Sequence, residues 1–283
     1  MNIAIKNLDF SAVINTKGAE LISFKKNNNR EYIWEGNPNF WGKHSPILFP
    51  IVGSLKNDSF TYNNKTYSLN RHGFARDRNF DVIDSSENSV IFSLKSDEDT
   101  LKVYPFDFEL QLIYTLNDNN LNIAYKIINK DKVKIPFSIG AHPAFALPER
   151  FTNYSLLFEH EESLISHQLE DGLISDKTIK IPYKDRKISL NYPLFENDAL
   201  IFKTLKSKSV TILENNNSLL KVKYNDFKSL GLWTVQQAPF ICIEPWLGYS
   251  DTLKSTGSIF EKEALQILER NQTFNCSFDI EIL

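Results

Sequence analysis

The sequence predicts an all-β protein built as a large antiparallel β-sandwich. Three observations carry that prediction. Apolar residues recur with a period of two through several segments, clusters of turn-forming residues separate them, and no strand–helix–strand alternation runs along the chain.

Taken in order, residues 79–84 (NFDVID) and 88–95 (NSVIFSLK) flank Ser85-Ser86-Glu87 and read as a hairpin. The stretch 96–105 (SDEDTLKVYP) suits one or two helical turns, with Ser96 as N-cap and Pro105 as the stop. Residues 107–116 alternate Phe108, Leu110, Leu112, Tyr114 and Leu116 against polar neighbours, and 120–129 alternate Leu121, Ile123, Tyr125 and Ile127. The intervening Asn/Asp cluster closes these two into a hairpin. HEESLISH, 160–167, reads as a surface loop. Residues 209–224 form a further hairpin around NNNS. SIFEKEALQIL divides into a turn at 258–262 and a strand at 264–268, and TFNCSFDIEI alternates as a final strand.

A chain of 283 residues can bury about 75% of its unfolded surface. No internal repeat, low-complexity segment or linker interrupts it, so one domain over residues 1–283 is expected. With 32 basic against 35 acidic residues, no strong field favours nucleic acid or an anionic membrane. The longest apolar run, PILFPIVG, is broken by Pro50 and falls far short of the roughly 20 residues that span a bilayer. The amino terminus carries no signal-peptide pattern. Cys242 and Cys276 form neither a CxxC motif nor a disulfide framework, which fits a reducing cytoplasm.

Chemistry concentrates in three stretches. In SIGAHPAFALP, His142 stands directly before Pro143; in FICIEPWLGYSD, Glu244 stands directly before Pro245. A residue before proline is driven to extended backbone, so both belong at strand positions where ladder pairing ends. Alternation puts Phe240, Cys242 and Glu244 on one face, with Ile241 and Ile243 on the other. A carboxyl on an apolar strand is costly to desolvate, and burial raises its pKa and makes it a stronger base. An idle glutamate exposed at a strand end fits the spacing equally, and a core histidine bonded to a carbonyl fits His142. The small neighbours of His142 leave room for an approaching ligand. In NRHGFARDRNFDV, His72 and Arg76 lie four apart and share one face of a strand, beside Arg71 and Phe74; a solvated basic edge is the alternative. Trp41, Trp233 and Trp246 supply aromatic surface of the kind sugars stack on. Cys242 shares the side of Glu244 but has no adjacent base, so packing is its expected role. The two histidines of HEESLISH, seven apart, lack helical zinc spacing, and no phosphate-cradling glycine motif or GxSxG occurs.

In combination, SPILFPIVGSL, RHGFARDRNFDV, GAHPAF and IEPWLGYSD resemble the aldose 1-epimerase (galactose mutarotase-like) family, and within it the LacX-like branch. The resemblance covers most of the chain. It implies a β-supersandwich and cofactor-free, metal-free interconversion of the α and β anomers of a hexose or hexose phosphate. On the matching motifs His142 falls on the family's general acid and Glu244 on its general base, facing one another across the sugar. A carboxylate beside the imidazole would keep it charged at neutral pH. His72 falls on a substrate-binding histidine, and Arg76 on an arginine that contacts substrate phosphate. Asp198 in FENDALIF is the candidate that binds hydroxyls, with Arg71 and Trp246 as further contacts. Where the galactose mutarotases carry another arginine, this chain has Lys56, which lacks the planar guanidinium fork. Only Lys43 and His44 add basic character near the phosphate-contacting segment. The expected partner is a small sugar or sugar phosphate, bound by a monomer or homodimer. A non-catalytic sugar-binding or regulatory protein is the alternative on the same fold. A glycosidase normally needs two carboxylates flanking the bond, and here the acid is a histidine.

Overall fold

The computed structural model describes residues 1–27 and 30–283. Two large antiparallel sheets make up most of it. The nine-stranded sheet runs, edge to edge, through Lys187–Ser189, Tyr154–Phe158, Ser209–Glu214, Asn217–Lys223, Thr273–Ile282, Asn120–Asn129, Phe108–Asn117, Ser89–Lys95 and Asp81–Ser85. The eight-stranded sheet runs through Leu173–Lys180, Ile165–Glu170, Leu200–Phe202, Ser229–Trp233, Phe240–Leu247, Ile139–Ala141 and Ile47–Leu48. Ala144–Ala146 pairs beside it onto Phe240–Leu247. One continuous core joins the two, with Leu110, Leu112, Ile123 and Tyr125 from the first sheet meeting Leu230, Leu232, Ile241 and Ile243 from the second. This is the predicted sandwich. No helix among the described residues is long and apolar enough to cross a membrane.

The predicted hairpins form where the alternation placed them: Ile123 pairs with Tyr114, and Val210 with Val222. Four local expectations are corrected. The helix is Glu98–Val103 and its N-cap is Asp97, not Ser96. The Asp97 carboxylate accepts from the Thr100 N–H at 2.7 Å while Thr100 Oγ1 accepts from the Asp97 N–H at 2.8 Å. Ser96 has no such reciprocal partner three residues on and bonds Asp107 instead. The strand expected at 264–268 starts only at Gln266, because Ala264 turns the backbone to φ +56°. HEESLISH is loop only in its first half; Ile165, Ser166 and His167 pair with Lys180, Ile179 and Thr178. The segment around His72 and Arg76 is not a strand. His72 and Gly73 take φ of +69° and +72°, and Ala75–Asp77 form a 3-10 turn. The chain there is tied to the 49–53 segment: the N–H groups of Phe74 and Ala75 both donate to Phe49 O, and that of His72 donates to Gly53 O. A Cβ on Gly73 would lie 2.3 Å from that same Phe49 oxygen, so only glycine admits this approach.

Candidate active site

The two pre-proline positions meet through backbone register. Ile139 and Gly140 pair with Leu247 and Trp246, and Ala144, Phe145 and Ala146 pair with Cys242, Ile241 and Phe240. Both blocks keep one register, which sets His142 directly across from Glu244. The ladder on the Phe240–Leu247 strand breaks only between these blocks, opposite His142-Pro143. On its other side the strand continues through Pro245, which pairs with Leu230. Pairing was expected to end at both prolines; it ends at His142 but runs past Glu244. Pro245 fits because the neighbouring strand is interrupted where its missing N–H would fall.

His142 Nε2 and Glu244 Oε2 lie 3.3 Å apart, without hydrogen-bond alignment. They do not face each other across a ligand-sized space, as the sequence suggested, but stand side by side on one wall. Glu244 is 1% exposed and His142 8%. Burial pushes the His142 imidazole down to about 3, with the Arg71 and Arg76 charges acting in the same direction. Burial also pushes the Glu244 carboxyl well up, opposed by Arg71. Both shifts favour a neutral imidazole beside a protonated carboxyl, the reverse of the imidazolium and carboxylate expected from sequence. The two arrangements hold the same single proton and differ only in which group carries it.

The wall around the pair is aromatic and tightly fitted. Trp41 stacks on the His142 ring at 4.8 Å and 26°, and Trp233 meets it edge-on at 5.6 Å. Trp41 is held by its carbonyl, which accepts from the Trp34 indole N–H at 2.9 Å. The Trp246 ring lies across two bare glycine positions, Gly140 and Gly231, where a Cβ would approach it to 2.6 and 2.5 Å.

His72 closes a second wall, its ring 5.9 Å from that of His142 and nearly perpendicular. Its Nδ1 accepts from the Gly53 N–H at 3.1 Å. Burial, His142 and the two arginines all lower its pKa, so the ring is neutral. Arg71 Nε donates to His72 Nε2 at 3.3 Å, and Arg71 Nη1 lies 3.7 Å from Asp198 Oδ2. Arg76 Nη2 donates to the Arg71 carbonyl at 2.8 Å, while its buried Nε lies 3.7 Å from Asp77 Oδ2.

His142, Glu244, His72, Arg76, Asp198, Arg71 and Trp246 all line one cavity of about 580 Å³, within the usual range of small-ligand sites. Lys56, Lys43 and His44 do not line it. The Lys56 ammonium donates to the carbonyls of Leu253 and Ser255, so it does not replace the family arginine in this cavity. The sequence reading missed Glu196, Thr234, Gln236 and Ser250, which also line it. Glu196 lies in the same FENDALIF segment as Asp198 and could have been flagged with it; Gln236 carries no local signal.

The family described as aldose 1-epimerase matches residues 1–263 by its sequence profile. The chain belongs to the aldose 1-epimerase family. Protein LacX (plasmid) of Lactococcus lactis subsp. lactis is 36% identical over the full length of both chains. The solved structure of a galactose mutarotase related enzyme from Lactobacillus acidophilus superimposes with a TM-score of 0.95 at 34% identity, covering 100% of this chain and 97% of that one. A galactose mutarotase-like protein from Lactobacillus casei gives 0.93 at 30% identity, over all of both chains. Membership of the family supports a sugar epimerase or mutarotase-like activity.

Proposed function

We propose that this protein is an aldose 1-epimerase that interconverts the anomers of a hexose or hexose phosphate, with His142 and Glu244 as its proton-transfer pair. The observation that carries the reading is their 3.3 Å contact at the wall of a sugar-sized cavity. Opening a pyranose removes a proton from the C1 hydroxyl and adds one to the ring oxygen. Those two oxygens share one carbon, so the base and the acid must be neighbours, as these groups are. The shared proton first passes from the Glu244 carboxyl to the His142 ring; Glu244 as carboxylate then takes the hydroxyl proton and His142 as imidazolium protonates the ring oxygen, the C1–O bond to the ring breaks and the aldehyde forms. Rotation about C1–C2 and reclosure reverse both transfers. Arg71 favours the carboxylate form of Glu244 against burial, and its charge also lowers the His142 pKa.

His72, on the second wall, contacts the sugar, and Asp198 and Arg71 bind hydroxyls. Arg76 lines the same cavity, and its guanidinium suits the phosphate of a hexose phosphate. Exchange spectroscopy by NMR on glucose, galactose and their 6-phosphates tests the reading. The expected result is accelerated anomer exchange for at least one of them, reduced about 100-fold or more in Glu244→Gln and in His142→Asn. Saccharide binding with no acceleration in the wild type would instead identify a binding protein, and wild-type rates in either variant would remove that residue from the mechanism.

A further inference from the structure

His142 and Glu244 have a third neighbour that the proton-transfer chemistry does not use. Cys242 lies two residues before Glu244 on the same face of the Phe240–Leu247 strand and is fully buried. A ligand atom from each of His142, Cys242 and Glu244 falls within 4.8 Å of the other two. Glu244 Oε2, which stands 3.3 Å from His142 Nε2, is buried without a hydrogen-bond partner among the described residues. We propose that these three side chains form a binding site for a thiophilic divalent cation such as Zn²⁺, and that its occupancy blocks the His142–Glu244 pair.

The geometry is close to what such an ion needs. With metal–ligand bonds of about 2.0–2.3 Å, tetrahedral ligand atoms sit roughly 3.3–3.6 Å apart. His142 Nε2 and Glu244 Oε2 already stand at 3.3 Å. The widest separation in the trio shortens by at most roughly 1.3 Å. Three protein ligands leave a fourth position for water or a sugar hydroxyl. The ion enters from the cavity, which His142 and Glu244 line and Cys242 does not. The thiolate sets the selectivity: sulfur, nitrogen and one carboxylate favour Zn²⁺, Cd²⁺ or Co²⁺ over Mg²⁺ and Ca²⁺. On binding, the thiol and the carboxyl each release a proton to solvent, and the neutral imidazole contributes a lone pair. A bound ion holds the carboxylate oxygen and ring nitrogen that otherwise transfer protons. The blocking consequence rests on the epimerase reading; the coordination does not.

The test titrates the full-length chain with Co²⁺ alone, without sugar. The wild type is expected to develop a near-ultraviolet thiolate-to-cobalt charge-transfer band that saturates at one ion per chain and is abolished by Zn²⁺. The band persists in Cys276→Ala, which removes the other cysteine, and disappears in Cys242→Ala. Zn²⁺ binds Cys242→Ala and His142→Asn at least about 10-fold more weakly. In anomer exchange, Zn²⁺ inhibits the wild type and leaves Cys242→Ala at its metal-free rate. No band in the folded wild type, or a band that survives in Cys242→Ala, overturns the proposal. Should Cys242→Ala fail to fold, full-affinity Co²⁺ binding by His142→Asn overturns it instead. A wild type that binds Co²⁺ but never accelerates exchange refutes the epimerase reading and its blocking consequence while leaving the cation site in place.

Discussion

Gly231→Ala tests how closely the strand carrying Glu244 is fitted. Gly231 pairs in register with Glu244, and the six-membered ring of Trp246 lies over its bare Cα. A Cβ there would stand 2.5 Å from two ring carbons, where ordinary contact is 3.4–4 Å, so the indole must retreat by about 1 Å. Its room to retreat lies toward the cavity it lines. Its other edge rests over Gly140 at a comparable approach, and the side chain is only 5% exposed. Overpacking of this kind costs about 1–3 kcal/mol. An unfolding entropy near 2.1 cal/mol/K per residue gives about 0.6 kcal/mol/K for 283 residues, so Tm falls by about 2–5 °C. Calorimetry measures that loss, and exchange NMR should show slower turnover because Trp246 and Glu244 share the displaced strand. Adding Trp246→Leu to Gly231→Ala should return part of the lost stability, since the two sites touch. A Tm within about 1 °C of wild type in Gly231→Ala, with unchanged turnover, would refute the packing argument.

Three further outcomes are expected. Lys262 is 2% exposed and donates to Asp251 Oδ1 at 3.0 Å and to Tyr249 O at 2.6 Å. Lys262→Met leaves that aspartate buried without its cation and should cost about 3–5 kcal/mol in urea unfolding, with most of the loss recovered by Lys262→Met/Asp251→Leu. His72 and His142 have folded pKa values held below 6.5 by burial, so the unfolded chain binds more protons under acid conditions. Their contribution is present above about pH 6.5 and lost as pH falls toward about 3. Glu244, with its raised pKa, acts oppositely, stabilising less as pH rises through its folded value. Between pH 7.5 and 5, around the histidine reference value, the urea midpoint of the wild type should therefore lose more than that of His142→Asn; equal slopes would contradict it. Arg71 lowers the Glu244 pKa, so Arg71→Met should move the rising limb of the kcat/KM pH profile to higher pH. An unmoved limb would show that Arg71 does not act on that carboxyl.

Much of this molecule was legible in local pattern. The hairpins could be read because alternation and turn residues both act within about ten residues. The two X-Pro steps were legible as chemistry because a titratable residue in an apolar strand is conspicuous. Their adjacency was not legible: it depends on one register shared by two short blocks that pair with a strand a hundred residues away. Without that register, His142 and Glu244 were pictured facing across a ligand. The directions of the two pKa shifts are not legible for a related reason, since they follow from burial that only the fold creates. His72 and Arg76 were assigned to a strand on four-residue spacing. Tethering to Phe49 and Gly53 won instead, and it brought both to the same cavity by another route.

The seating of His142 beside Glu244 depends on main-chain hydrogen bonds, whereas much of the cavity rim comes from connections: Arg71 to Arg76, Glu196 to Ala199, and Val235 to Gln236. Drift in those connections can therefore change which guest is admitted while His142 and Glu244 stay aligned. Reactivity and selectivity are thus separately heritable here, and a lineage built on this scaffold can explore new sugars without first dismantling its chemistry.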